Sequence, residues 1–172
     1  WSATMVGAYH KDKMITGRKL APGQVIIGLK ENGFRCNGIS SVRKALKEKF
    51  GSEWWKNPQA KKSIKETATP SVLYDTYVNT LNGWFNKDFK PEIAIHSIVH
   101  LSGGAFKEKL AKDILFPKKL SAEISDLWEP PEIMKNCAKW RGVTDEEFYE
   151  IWHGGQGMLL IIDEKNAEYC IK

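Results

Sequence analysis

Long apolar runs are what this sequence has least of. The longest, residues 158–162, holds five residues, far short of the ~20 that a membrane-spanning helix needs, so no membrane partner is expected. No charged-then-apolar leader opens the chain, and a cytoplasmic location is the expectation. Cysteine is equally sparse. Cys36, Cys137 and Cys170 are odd in number, far apart and outside any CxxC pattern, which argues against a disulfide framework and a zinc site and for a reducing compartment. No histidine stands near them at ligand spacing, so no metal site is expected. Repeats and low-complexity tracts are absent too. With 42% hydrophobic and 27% charged residues, the composition excludes disordered, collagen-like and coiled-coil classes.

At 172 residues the chain is long enough for one domain with a real core and too short for two ordinary ones. Trp1, rather than a methionine, opens a stretch that reads as structured, so the chain is expected to belong to a longer one. The 26 Lys and Arg against 21 Asp and Glu leave a formal +5, concentrated in residues 43–65. A nucleic-acid surface would account for that excess, and so would a solvated helix face beside a site for phosphorylated metabolites. The second is favoured, because the segment lacks interleaved aromatics apart from Trp54 and Trp55 and matches no recognition motif. No nucleic-acid partner is expected.

Two stretches share one local logic. Residues 25–29 form a continuous apolar strand that runs into a loop with Gly33 and Gly38, then into a helix beginning near Ser40, with Ile39, Val42, Leu46 and Phe50 at helical spacing. Residues 95–101 form a second strand, followed at once by Ser102-Gly103-Gly104 and a short Lys-rich helix. Each unit aims unpaired helix-start N–H groups at a point beyond a strand end, a geometry that favours anions. The two are expected to share one anion site.

Around them the pattern predicts an opening hairpin from residues 1–9 and 14–17. The unbroken run at 25–29 reads as a strand buried on both faces, hence central in its sheet. Residues 51–70 read as a partly helical surface excursion, its tryptophans packed. Pro70 then starts a helix whose Val72, Leu73, Tyr77, Leu81 and Trp84 share a face. Leu120, Ala122 and Ile124 alternate as a half-exposed strand, and Pro131 opens a helix with Ile133, Met134, Cys137 and Trp140 inward, ended by Gly142. Thr144 and Glu147 have capping-box spacing, so a short helix should run to about residue 151. Residues 158–162 give a last strand, with a helix after it. The fold class is α/β, a mixed sheet with packed helices.

The motifs Asn37-Gly38-Ile39-Ser40-Ser41-Val42-Arg43, Thr69-Pro70-Ser71-Val72-Leu73-Tyr74, His100-Leu101-Ser102-Gly103-Gly104, Trp128 with Pro131-Glu132-Ile133, and residues 147–152 leading into Gly155-Gln156-Gly157-Met158 occur in the order and spacing of one family. The chain resembles the C-terminal domain of phosphoribosylformylglycinamidine cyclo-ligase, also called aminoimidazole ribonucleotide synthetase, over nearly its whole length. The resemblance implies an enzyme of purine biosynthesis that uses ATP and Mg²⁺ to close the imidazole ring of formylglycinamidine ribonucleotide. ATP and metal would be held mainly by an N-terminal domain absent here, and the full-length protein would be a homodimer. It implies substrate-binding roles for Asn37, Gly38, Ser40, Arg43, Ser102, Gly103, Gly104 and His153, names no catalytic residue, and puts a final strand beyond residue 172.

Departures from the family pattern are several. Arg35-Cys36 stands where His-Ser is usual, Ala105 replaces a glycine, Lys112 replaces an arginine and His153 replaces an asparagine. They leave open a paralogue of selenophosphate synthetase or thiamine monophosphate kinase type. On local evidence alone, Asn37-Gly38 is a turn pair or a ligand pair, Ser40 a helix cap or a substrate contact, and Arg43 a phosphate ligand or a solvated residue. His153 is a ligand contact or a satisfied turn residue. Ser102-Gly103-Gly104 leans functional, because paired glycines at a buried strand end serve close backbone approach better than stability. His100 and Cys36 read as packing residues.

Overall fold

The computed structural model describes residues 2–171. Three strands, β1 (Gln24–Lys30), β2 (Ile95–His100) and β3 (Gln156–Asp163), form one sheet in the order β1-β3-β2. Both outer strands run antiparallel to β3, Gly28 opposite Leu159 on one side and Val99 opposite Leu159 on the other. β1 and β2 are therefore parallel to each other and end at the same edge, where β3 begins. That shared end gathers the loops on which the site is built.

Alternation along the strands divides the core. Val99, Leu159 and Ile161 face one side with helix α4 (Ala105–Leu115), which supplies Leu110 and Leu115. Leu160 and Ile162 face the other, against Leu81 of α3 (Asp75–Leu81) and Cys170 of α7 (Ala167–Ile171). A third cluster stands beyond the strand ends, where Val42, Ala45 and Leu46 of α1 (Ile39–Phe50) meet Ile133, Met134 and Cys137 of α5 (Glu132–Arg141) and Phe148 of α6 (Asp145–Ile151). Phe34 and Trp152, both fully buried, complete it. Burial pushes the Cys137 thiol up to about 12, consistent with a packing role.

The central strand is β3, not β1. An apolar run records that both faces are covered, and both faces of β1 are, by Ile26 on one side and Val25, Ile27 and Leu29 on the other. It says nothing of the hydrogen-bonding edge. The outer edge of β1 is instead met by side chains, Trp128 Nε1 donating to Gly28 O at 2.7 Å and Tyr74 OH to Lys30 O at 2.6 Å, a common way to blunt an exposed strand.

No opening hairpin forms among the described residues, and Trp1 lies outside them. Met5 and Val6 are almost fully exposed, and the 14–17 segment is tied to the sheet by Gly17 N–H, donating to His96 O at 3.0 Å, and by Ile15 packed against the cluster of Ile95, Leu160 and Ile162. The helix expected from Pro70 begins five residues later, because the Val72 N–H is bound by the Glu31 carboxylate and Leu73 points outward. Residues 120–124 are irregular rather than a strand. Their apolar side chains roof a cavity of about 410 Å³ over Ile26, Leu159 and Ile161. The 51–70 excursion is partly helical as expected, with α2 (Lys61–Thr67) at its end and Trp54 packed on the third cluster while Trp55 is exposed. The Thr144–Glu147 capping box, the end of α5 at Gly142 and the closing helix all form where the sequence puts them.

Candidate functional site

Both helices that leave the sheet start on a glycine that is left-handed. Gly38 caps α1 at φ 64 and Gly104 caps α4 at φ 70, a conformation that disfavours a Cβ. Ser40 is therefore not the cap of α1; it lies exposed in the first turn. The last residues of α6 and the tryptophan after it stitch the two turns together. Asn37 Nδ2 donates to Ile151 O at 3.2 Å, Trp152 Nε1 to Gly38 O at 3.4 Å, and the Gly104 N–H to Glu150 O at 2.8 Å. The turns touch, since a Cβ on Gly103 would lie 3.5 Å from Asn37 Nδ2.

Asn37, Gly38, Ser102, Gly103 and Gly104 are thus brought together as half-buried neighbours at the strand ends. Ser40 and Arg43 are exposed on the first turns of α1. His153 is not at this surface. It is fully buried, its Nδ1 accepting the Gly155 N–H at 3.2 Å and its Nε2 lacking a hydrogen-bond partner. Burial holds its pKa below the ordinary 6.5, with Arg35 and His100 pressing the same way and Glu31 and the Gly33 backbone opposing.

The two helix starts differ as anion sites. The first turn of α1 contains no acidic residue, and its leading N–H groups at Ile39 and Ser40 have no acceptor inside the helix. At α4 the Gly104 N–H is already used, and Glu108 folds its side chain over Gly104. A negative charge is therefore better received at α1. At the end of β2, burial and then the charges of Arg35 and Lys109 hold the His100 pKa below its ordinary value.

Three contributors escaped the sequence reading. Trp152 props Gly38; Gln156, fully buried, receives Trp128 N–H at 3.1 Å and donates to Trp128 O and Gly154 O, both at 2.8 Å. Glu31, also fully buried, holds Arg35. The one available signal for the last was a Glu–Arg pair four residues apart at a strand exit. Among the described residues no three His, Cys, Asp or Glu side chains converge to hold a metal ion. No described helix is long and apolar enough to cross a membrane.

No family model matches the chain. Curated relatives do, and three are named phosphoribosylformylglycinamidine cyclo-ligase. The protein from Methanobrevibacter smithii is 34% identical over 171 residues, covering 97% of this chain and 46% of the relative. That from Caldanaerobacter subterraneus subsp. tengcongensis is 32% identical over 171 residues, 97% of this chain and 47% of the relative. The Carboxydothermus hydrogenoformans protein is 30% identical over 169 residues, again 97% of this chain and 46% of the relative. The chain thus spans about half the length of these relatives, and over almost all of its own length it is homologous to the phosphoribosylformylglycinamidine cyclo-ligases.

Proposed function

We propose that this chain is the substrate-side domain of an ATP-dependent cyclo-ligase that converts formylglycinamidine ribonucleotide to aminoimidazole ribonucleotide in purine biosynthesis. The observation that carries the reading is homology along 97% of the chain to proteins bearing that name. In this reading the missing half of the relatives is an N-terminal domain that holds ATP and Mg²⁺, the pair dimerises, and the enzyme is cytoplasmic. A final strand of the domain lies past residue 172.

ATP, when bound by that other half, supplies activation of the formyl amide oxygen. The residues of this chain bind and orient. The open N-terminus of α1, with Gly38, Ser40 and Arg43, receives the ribose phosphate, where helix dipole and N–H groups favour negative charge. Asn37 and the backbone of residues 102–104 form the wall that fixes the ribose end, and His153 acts from behind as a buried support. Holding the substrate in one geometry is itself a large part of catalysis in ring closure.

The test is a titration of the chain with formylglycinamidine ribonucleotide by heteronuclear NMR. Saturable shifts at Gly38, Ser40 and Gly103 are expected, followed by ATP-dependent turnover when the N-terminal half is added. Absence of shifts in this chain, with binding retained by the full-length enzyme, would remove the site assignment. Absence in both would remove the cyclo-ligase reading.

A further inference from the structure

Three segments remote in sequence meet on one buried carboxylate. Glu31, directly after β1, has no solvent exposure. Its Oε1 accepts the backbone N–H of Asn32 at 2.8 Å and of Val72 at 3.2 Å. Its Oε2 lies 3.2 Å from Arg35 Nε, an ion pair without a well-aligned hydrogen bond. Arg35 is left-handed at φ 58, and its Nη1 donates to Gly157 O at 2.6 Å, at the start of β3. Tyr74 completes the ring, its OH on Lys30 O and its face 5.9 Å from the guanidinium carbon.

A buried carboxylate is destabilising unless donors and a counter-charge surround it; neither Glu31 nor Arg35 belongs to the apolar clusters, although the Glu31 N–H carries the β1–β3 pairing one step further by donating to Gly155 O at 2.8 Å. What the pair does hold is the turn. Between Arg35 and the start of α1 lie only Cys36, Asn37 and Gly38, and Asn37 N–H donates to Phe34 O at 3.3 Å within that turn. Arg35 is tied at both ends, its Nη1 donating to Gly157 O and its Nε facing Glu31 Oε2 as an ion pair, so it acts through the backbone it fixes.

We propose that Glu31 is a positioning residue: by anchoring Arg35 it presets the turn that places Asn37 against Gly103 and Gly38 at the mouth of α1, ready for a phosphorylated ligand. The identity of that ligand rests on the cyclo-ligase reading; the preset turn does not.

The experiment is Glu31→Gln in the whole chain, which keeps the side-chain shape and the Oε1 acceptor while removing the charge. Amide hydrogen exchange is followed at Asn37, in the turn, and at Leu160, in the middle of β3. Exchange at Asn37 is expected to rise about tenfold to a hundredfold, the scale of losing a charge-assisted contact, with Leu160 unchanged. Affinity for formylglycinamidine ribonucleotide is expected to fall by a similar factor. Arg35→Gln, at a residue with some solvent access, gives the same pattern and stands in if Glu31→Gln does not fold; the double variant is no worse than the stronger single, as for members of one unit. Unchanged exchange at Asn37, equal acceleration at Asn37 and Leu160, or a loosened turn with undiminished ribonucleotide affinity would each overturn the proposal. If neither the unsubstituted chain nor the full-length protein binds the ribonucleotide and Asn37 alone accelerates in the variant, the positioning of the turn stands and the cyclo-ligase reading falls.

Discussion

The turns that leave β1 and β2 enter their helices through the same device, a left-handed glycine, yet they are held in different ways. The turn at 31–38 is braced by side chains: the Glu31–Arg35 pair, Asn37 on Ile151 O and the Trp152 indole against Gly38. The turn at 101–104 is braced by backbone, with Leu101 N–H on Gly157 O at 3.3 Å and Gly104 N–H on Glu150 O. The helices differ as well. α1 is regular, whereas α4 is wound wide, in i→i+5 fashion, and ends with Phe116 N–H on Ala111 O. Side-chain bracing leaves the leading N–H groups of α1 free for a ligand, while backbone bracing engages the Leu101 and Gly104 N–H groups of the second turn. In the proposed reading the first turn is the binding element and the second its wall.

Glycine replacement separates the two most sharply. At Gly38 a Cβ would fall 2.4 Å from Trp152 Nε1 and 2.5 Å from Cδ1, and the indole is locked in the core between Phe34 and Phe148. Left-handed strain and overpacking add, so Gly38→Ala is expected to cost about 2–5 kcal/mol. At Gly104 the obstruction is Glu108 Cγ at 2.7 Å and Cβ at 2.8 Å; the Cγ can rotate away, but the Cβ moves only if the half-exposed first turn of α4 shifts, and Gly104→Ala is expected to cost about 1–4 kcal/mol. Urea denaturation of both variants measures the difference. Equal losses would mean that Trp152 yields and that the first turn is no more rigid than the second.

Acid should find the first turn too. His153 is buried beside it as the neutral ring, its folded pKa below the ordinary 6.5. The unfolded chain takes up that proton first as pH falls, so the stability contributed is fully present above about 6.5 and is lost as pH drops through the depressed folded value. His100 shifts in the same direction from an exposed position. His153→Asn leaves His100 in place, so the melting temperature of the variant should fall less steeply than that of the parent from about pH 8 to pH 5. Parallel curves would show that the buried ring is not the acid-sensitive element.

A smaller effect is expected at Trp128. Its indole N–H caps Gly28 O on the outer edge of β1 and its body is about half exposed. Trp128→Phe keeps the ring and removes one neutral hydrogen bond, for a loss of about 1 kcal/mol in denaturant titration. The second crossing has no such side-chain brace, so the same experiment gives no counterpart there. A loss several times larger would show that the roof over the cavity at 120–127 depends on this bond.

What the sequence disclosed follows the reach of each interaction. The ends of α5 and α6 were legible because Gly142, Thr144 and Glu147 act within one helical turn. The glycines of both crossings were legible for the same reason. Strand order was not, since the apolar run of β1 reports covered faces and not paired edges. The alternation at 120–124 misled because residues that roof a cavity show the same period as a half-buried strand. In the site, Glu31 drew no reading from the sequence; it is buried only because partners 41 residues away at Val72 and, through Arg35, 122 away at Gly157 come to meet it. His153 read as a ligand contact or a satisfied turn residue, since nothing local showed that it is fully buried.

The smallest expected effect tests whether the two turns serve one ligand. Gly103 has no positive φ, and a Cβ there would meet Asn37 Nδ2 at 3.5 Å, Oδ1 at 3.6 Å and Cγ at 4.0 Å, ordinary contact distances. Gly103→Ala therefore carries neither strain nor overlap, and loss of freedom in the unfolded chain offsets much of any packing change, so stability should move by less than about 1 kcal/mol. The new methyl nevertheless stands between the 31–38 turn and the 101–104 wall. If one phosphorylated ligand uses both, its affinity must fall while the denaturation midpoint stays put, and the amide shifts at Gly38 and Ser40 on titration must weaken with it. If Gly38 and Ser40 shift as strongly as in the parent, α1 binds alone and the neighbouring glycines serve only to let the two turns approach.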